Sequence, residues 1–192
     1  IPRAAPSPSR ELSDEAIARA CATGEASAIT QLFARFHRNV ARYIAHLTGS
    51  ADVDDLVQAT FLEIVKGNAR YDGRAGVTTW LFAIATNVVR HHRRTLGRKR
   101  RLQAAVAHEH EAPQREAEAN LEAARTIAAV ERALGELSSS QREAFVLCVL
   151  EGLSAREAGR ILGTSESAVW KRVCKARIRI RKTMGGDHHG AS

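Results

Sequence analysis

The sequence predicts an all-α chain: two small helical domains joined by a flexible linker, the C-terminal one a helix-turn-helix. Three observations predict it. Apolar residues recur at steps of three and four with no strand-like alternation, capping boxes and glycine stops punctuate the last third, and a stretch without aromatics separates two periodic halves. Seven of the nine aromatics fall between Phe33 and Phe82, which gives the first half a core of its own.

Residues 1–25 read as a flexible N-terminal segment and the start of a helix; Ile1 to Arg10 is rich in Pro, Ser and Arg and lacks the apolar stretch of a signal peptide. The first domain spans 26–101. Ile29, Leu32, Phe33, Phe36, Val40, Tyr43, Ile44 and Leu47 form one stripe of a long helix that Gly49 stops. A second helix runs from about Asp52 to Lys66 with Val53, Leu56, Val57, Phe61 and Ile64 inward. Its first turn carries Asp52, Asp54 and Asp55, where the positive helix end favours anions. After a glycine-containing loop, a third helix starts near Thr78 or Thr79, buries Trp80, Leu81, Ile84, Ala85 and Val88, and runs into a basic stretch.

Residues 102–124 read as a solvated linker, rich in Ala, Glu, Gln and His and holding Pro113. The second domain spans 125–184. Leu121, Ile127, Val130, Leu134 and Leu137 make one stripe leading into it. Ser140-Gln-Arg-Glu143 reads as a capping box opening a helix with Ala144, Leu147, Cys148 and Leu150 inward, ended by Gly152. Ser154-Ala-Arg-Glu157 is a second box; its helix buries Ala158, Ile161 and Leu162 and stops at Gly163. Thr164 or Ser165 then caps a longer helix whose seam is Val169, Val173, Ala176 and Ile180. Residues 185–192 read as a disordered tail.

Charge identifies the partner class. The windows Arg90 to Arg101 and Lys171 to Lys182 each hold seven Lys or Arg and no acid, fourteen of the chain's twenty-nine basic residues. Cations this concentrated repel one another unless a polyanion neutralises them, and nucleic acid is the commonest such partner. A net charge of +8 and an isoelectric point near 10.1 agree. Ser154 to Lys182 has the form of a helix-turn-helix, with Ser167, Lys171, Arg172 and Lys175 off the seam of the second helix and Arg177 beyond them as a phosphate anchor. Trp170 neighbours the seam; partial core packing and contact with a DNA sugar or methyl group both fit it.

Other classes are disfavoured. Cys21, Cys148 and Cys174 make no CxxC pair, which fits reduced thiols in a cytoplasm and neither a disulfide framework nor a zinc site. His108, His110, His188 and His189 read as solvated, so no metal is expected. No apolar run approaches the ~20 residues of a membrane span. Clustered carboxylates for two metals, a phosphate loop and a paired nucleophile are all missing, so no enzyme activity and no cofactor are expected.

Leu153-Ser-Ala-Arg-Glu-Ala-Gly-Arg-Ile-Leu-Gly-Thr, followed by Ala168-Val-Trp-Lys-Arg-Val and Lys175-Ala-Arg, resembles the C-terminal domain of bacterial extracytoplasmic-function RNA polymerase sigma factors. Asp54-Asp-Leu-Val-Gln-Ala-Thr-Phe-Leu-Glu and Trp80-Leu-Phe-Ala-Ile-Ala-Thr-Asn87, ending in Arg93-Arg94, resemble the other domain of that family. The resemblance implies an initiation subunit, cytoplasmic and bacterial, that binds core RNA polymerase at the beta-prime clamp and beta flap. It implies that Asp54, Asp55, Gln58 and Phe61 meet the clamp, Phe61 being either an apolar anchor or core. It implies minus-ten recognition by Asn87, Arg90, Arg93 and Arg94, and minus-thirty-five recognition by Ser167, Lys171, Arg172, Lys175 and Arg177. An anti-sigma factor is an implied partner, and membrane insertion is not. The sequence departs from the family pattern at His91, often an Asp, and at Trp170, usually polar. The alternative reading is a stand-alone dimeric helix-turn-helix transcriptional regulator, which would need neither the acidic helix nor the first basic window.

Overall fold

The computed structural model describes residues 12–49, 52–104 and 129–186, and every regular element among them is helical. Helix α1 (Asp14–Ala22) starts at Ser13, whose hydroxyl accepts the Ala16 N–H at 3.2 Å, and buries Ile17, Ala18 and Cys21. The sequence predicts a flexible segment and the start of a helix over residues 1–25, and the structure has a separate short helix there. Its nine residues are too few to display a full apolar stripe, and packing against α2 (Ala26–Thr48) holds them. Helix α2 ends as expected: Gly49 turns left-handed at φ 72° and its N–H bonds to the Ala45 carbonyl.

Helices α3 (Val53–Val65) and α4 (Val77–Ala104) complete a four-helix N-terminal half. Tyr43 of α2 lies at its centre, stacked on Phe82 at a centroid separation of 4.3 Å, with its hydroxyl 2.6 Å from Thr86 Oγ1. That contact satisfies the one polar group an otherwise apolar ring would strand in the interior. Phe33, expected in the core, is half-exposed, its ring 4.9 Å from Phe61, while Ile29, Val53, Trp80 and Val88 are only partly buried and Val89 is fully buried beside Val88.

The C-terminal half holds α5 (residues 129–135), α6 (Ser139–Phe145), α7 (Ala155–Leu162) and α8 (Glu166–Gly186). The box that opens α6 is Ser138 with Gln141, two residues before the expected Ser140 and Glu143. The serine run permits either register, and the earlier one leaves the Glu143 carboxylate free for other partners. Beyond Phe145 the chain widens into a π-helical turn, Val146–Leu150. The extra residue per turn shifts the register: Val146 and Leu147 are buried, Cys148 is half-buried, and Leu150 faces outward against expectation. Ser154 and Glu157 form the expected box on α7, and Ser165 caps α8 by accepting the Ala168 N–H at 3.3 Å.

Between α7 and α8 the chain turns at Gly163, left-handed at φ 65°. The tighter constraint is Gly159, where an added Cβ would lie 2.8 Å from the Thr164 carbonyl oxygen. That near-contact lets α7 reach the turn leading to α8, and the sequence reading did not single it out. Buried residues of both halves, from Ile17 to Val173, form one apolar cluster, with α4 against α7, so the first half's core is continuous with the second's. The linker at 105–128, the tail at 187–192, Leu121, Ile127 and the four histidines at 108, 110, 188 and 189 lie outside the described residues.

Gly159→Ala is expected to cost about 1–3 kcal/mol through overpacking against that carbonyl. A lowered thermal midpoint checks this, with Gly97→Ala, whose added Cβ meets nothing, as the control.

Candidate nucleic-acid interface

Helix α8 buries Val169, Val173 and Ala176, as its spacing predicts. Rotation at about 100° per residue then places the polar positions outward: Ser167, Lys171, Lys175 and Arg177 are exposed and Arg172 is half-buried. Ser167 Oγ lies 3.1 Å from Ser165 Oγ at the helix start. Among the described residues, Lys171, Arg172, Lys175 and Arg177 have no ion-pair partner. The one acid of α8, Glu166, sits 3.7 Å from Arg156 of α7. Five expected residues therefore come together on one helix, four of them as uncommitted cations.

The first basic window divides in two. Asn87, His91 and Arg94 are exposed along α4 and line a groove of about 800 Å³ against α3 and the loop that follows it. Asp55, Glu63 and Asn68 form its other wall, where Asn68 Nδ2 donates to Glu63 Oε2 at 3.0 Å. His92 reaches back to Asp52 at 3.2 Å, tying the start of α3 to α4.

Arg90 and Arg93 turn inward instead. Glu143 of α6 is only 3 % exposed, and both its oxygens accept from Arg90, at 3.1 and 2.7 Å. Those hydrogen bonds hold the Arg90 guanidinium above its ordinary pKa. Arg93 donates to the Leu47 carbonyl and lies 4.0 Å from Glu143; burial pushes its pKa down despite that carboxylate. Arg142 donates to the same Leu47 carbonyl at 2.9 Å and to Leu134 and Gly135 at 2.8 and 3.0 Å. The carbonyl end of α2, negative in its dipole, is thus capped by two arginines, one from each half. In this arrangement Arg90 is engaged by Glu143 and Arg93 by the Leu47 carbonyl, partners that the sequence does not predict. A pairing across 53 residues carries no local signal.

On the acidic flank of α3, Asp54, Asp55 and Gln58 are exposed, while Phe61 is buried against Phe33, in keeping with the core alternative for that residue. The apolar groups facing solvent near that flank are Leu62, 42 % exposed, and Val65, 52 % exposed. The sequence reading missed both, although each falls within a turn or two of Gln58.

A second polar contact closes the join of the halves. Arg42 Nε and Nη2 donate to Glu151 at 3.3 and 2.8 Å, and His46 Nδ1 lies 3.8 Å from the same carboxylate, buried and without a hydrogen bond. Arg42 and His46 border a cleft of about 270 Å³ walled by α2, α5 and Arg142. No described helix is long and apolar enough to cross a membrane, and no described cluster of His, Cys, Asp and Glu has the form of a metal site.

Residues 32–99 match the Sigma-70 region 2 family and residues 127–180 the Sigma-70, region 4 family. The chain is 34 % identical to the extracytoplasmic-function RNA polymerase sigma factor SigM of Mycobacterium tuberculosis, covering 91 % of this chain and 86 % of that one. It is 32 % identical to the RNA polymerase sigma factor CnrH of Cupriavidus metallidurans, covering 92 % and 97 %. The solved structure of CnrH in complex with the cytosolic domain of CnrY superposes with a TM-score of 0.66 at 28 % identity, over 91 % of this chain and 98 % of that one. The sigma factor RpoE of Bartonella quintana, solved with the anti-sigma factor NepR, shares the fold at a TM-score of 0.67 and 24 % identity, over 81 % and 96 %.

Burial, opposed in part by Glu151, lowers the His46 pKa from its ordinary 6.5. The packed chain therefore favours neutral His46, and the unfolded chain binds the proton more readily. His46 is expected to favour packing fully above about pH 6.5 and progressively less as pH falls through its lowered value. Thermal midpoints between pH 7.5 and 5.5 check this; His46→Gln should flatten the slope.

Proposed function

The chain belongs to the extracytoplasmic-function sigma factors, and from that premise we propose a division of labour among its surfaces. As a sigma factor it directs promoter-specific transcription by RNA polymerase. It catalyses nothing itself, uses no cofactor and works in the bacterial cytoplasm. Domain limits of 26–101 and 125–184 fit the two surfaces.

One observation carries this reading: α8 presents Lys171, Arg172, Lys175 and Arg177, without ion-pair partners among the described residues, on the second helix of a helix-turn-helix. Such a helix enters the major groove of duplex DNA by its N-terminal half, which assigns it the minus-thirty-five element. Ser167, Lys171 and Arg172 reach base edges or nearby phosphates, and Lys175 and Arg177 anchor the backbone.

The minus-ten element falls to α4. Asn87 offers an amide to a base edge, Arg94 a charge to phosphate, and the groove between them and α3 has room for an unstacked base. Arg90 and Arg93 join them only once Glu143 no longer holds Arg90, because one guanidinium fork cannot serve the carboxylate and a phosphate together. His91, exposed beside Asn87, stands where relatives often carry an acid and removes a repulsive charge from the strand's path.

Core polymerase docks on α3. Asp54, Asp55 and Gln58 meet basic side chains of the beta-prime clamp, with Leu62 and Val65 as the apolar contribution in place of Phe61. The beta flap meets the C-terminal half. The solved relatives are bound to CnrY and to the anti-sigma factor NepR, which supports an anti-sigma factor as a further partner of this chain.

Asp55→Arg is expected to abolish association with core polymerase and promoter-directed initiation while costing only about 1–2 kcal/mol of stability, from reversing an exposed charge in the first turn of α3, so that the chain stays folded. Retained association would move the docking face elsewhere. Arg172→Ala is expected to relax preference at one position of the upstream element at a cost of about 1–3 kcal/mol there. Holoenzyme competition between single-base promoter variants measures it; a uniform loss would make Arg172 a phosphate anchor.

A further inference from the structure

We infer that Trp170 is a specificity-determining residue that reads a thymine methyl group in the upstream promoter element. The inference deepens the reading of α8 given above and rests on it. Sequence spacing left Trp170 between core packing and DNA contact. The structure separates the two, because Val169, Val173 and Ala176 fill the seam while Trp170 is 49 % exposed. The seam is complete without the indole.

The indole occupies the middle of the exposed face. Ser167 lies three residues before it and Cys174 four after it, one helical turn on either side, and both are exposed. Arg177 follows along the same flank and Lys171 is adjacent, both exposed and both without ion-pair partners among the described residues. The only acid on this helix, Glu166, is drawn toward Arg156 at 3.7 Å. A large exposed apolar group, with one uncommitted cation next to it and another two turns along, suits a surface that is polyanionic with an apolar feature inside it. The major groove is such a surface: phosphates flank it, and the thymine C5 methyl is its apolar mark. With two side-chain torsions to fix, Trp covers that methyl at small entropic cost.

A protein partner is the competing occupant. Trp170, Cys174 and Ile178 follow one another at steps of four, and Ile178 is 55 % exposed. The exposed Lys171 and Arg177 along the same stretch favour phosphate over such a partner, and the test separates the two.

Core polymerase is reconstituted with wild type, Trp170→Ala or Trp170→Phe on a promoter that the wild-type holoenzyme selects. Each thymine of the upstream element is replaced in turn by deoxyuridine, which removes only the methyl group. Wild type is expected to lose about 3- to 5-fold in initiation at one position, the scale of one buried methyl. Trp170→Ala should show no response to deoxyuridine at that position, and Trp170→Phe should keep most of it. Equal responses in wild type and Trp170→Ala would overturn the inference. So would an alanine variant weakened equally on every template, or one that loses polymerase binding, which assigns the indole to a protein. A wild-type holoenzyme that selects no promoter would overturn the reading of α8 as well, a result distinct from the other three.

Discussion

At the join of the two halves a single carboxylate is held almost out of solvent, and the exposure of the first cationic window follows from it. Glu143 takes both donors of the Arg90 fork and draws Arg93 to 4.0 Å, while Arg93 and Arg142 share the carbonyl that ends α2. A buried carboxylate is tolerable only with such partners, since its desolvation must be offset by charge and hydrogen bonds together. Arg42 and Glu151 repeat the pattern across the same join. All of these contacts except Arg93 to Leu47, which ties α4 to α2, join a residue of α2 or α4 to one beyond α5. The packing of the halves is therefore set by polar geometry around an apolar cluster that would otherwise specify little about orientation.

The consequence is an asymmetry between two windows of equal charge. In α8 most of the cations face solvent, Arg172 being half-buried and Arg179 paired with Glu136 at 3.3 Å, and α8's own seam is closed by small and branched apolar residues. In α4 half of the expected set is engaged inside the protein, leaving Asn87, His91 and Arg94 along an open groove. The acidic face of α3 keeps its carboxylates exposed beside Leu62 and Val65, a composition suited to a basic protein surface rather than to DNA. Surfaces of opposite charge on neighbouring helices suit the proposed division between a protein partner and a nucleic acid.

Much of this was legible in the sequence because it is local. Gly49 and Gly163 as stops, the Ser154–Glu157 box, and the Val169, Val173, Ala176 seam all depend on residues within a few positions of one another. The misses have a shared cause. Glu143 reads as the end of a capping box until its partner 53 residues earlier is known. Leu150 reads as core until a π-helical turn advances the register. Phe61 fits both a core and an anchor until Phe33 is seen against it, and Gly159 looks ordinary until the Thr164 carbonyl is placed 2.8 Å from its missing Cβ. Periodicity identifies faces; it does not say which distant element meets them.

The central claim is that two separately positioned surfaces, on α4 and on α8, place polymerase on DNA together. Transcription by core polymerase reconstituted with the chain, from a library of random templates, tests it most directly. Two conserved sequence blocks at a fixed spacing upstream of a shared start site are the expected result. Start sites indistinguishable from those of core polymerase alone, or a single conserved block, would contradict it.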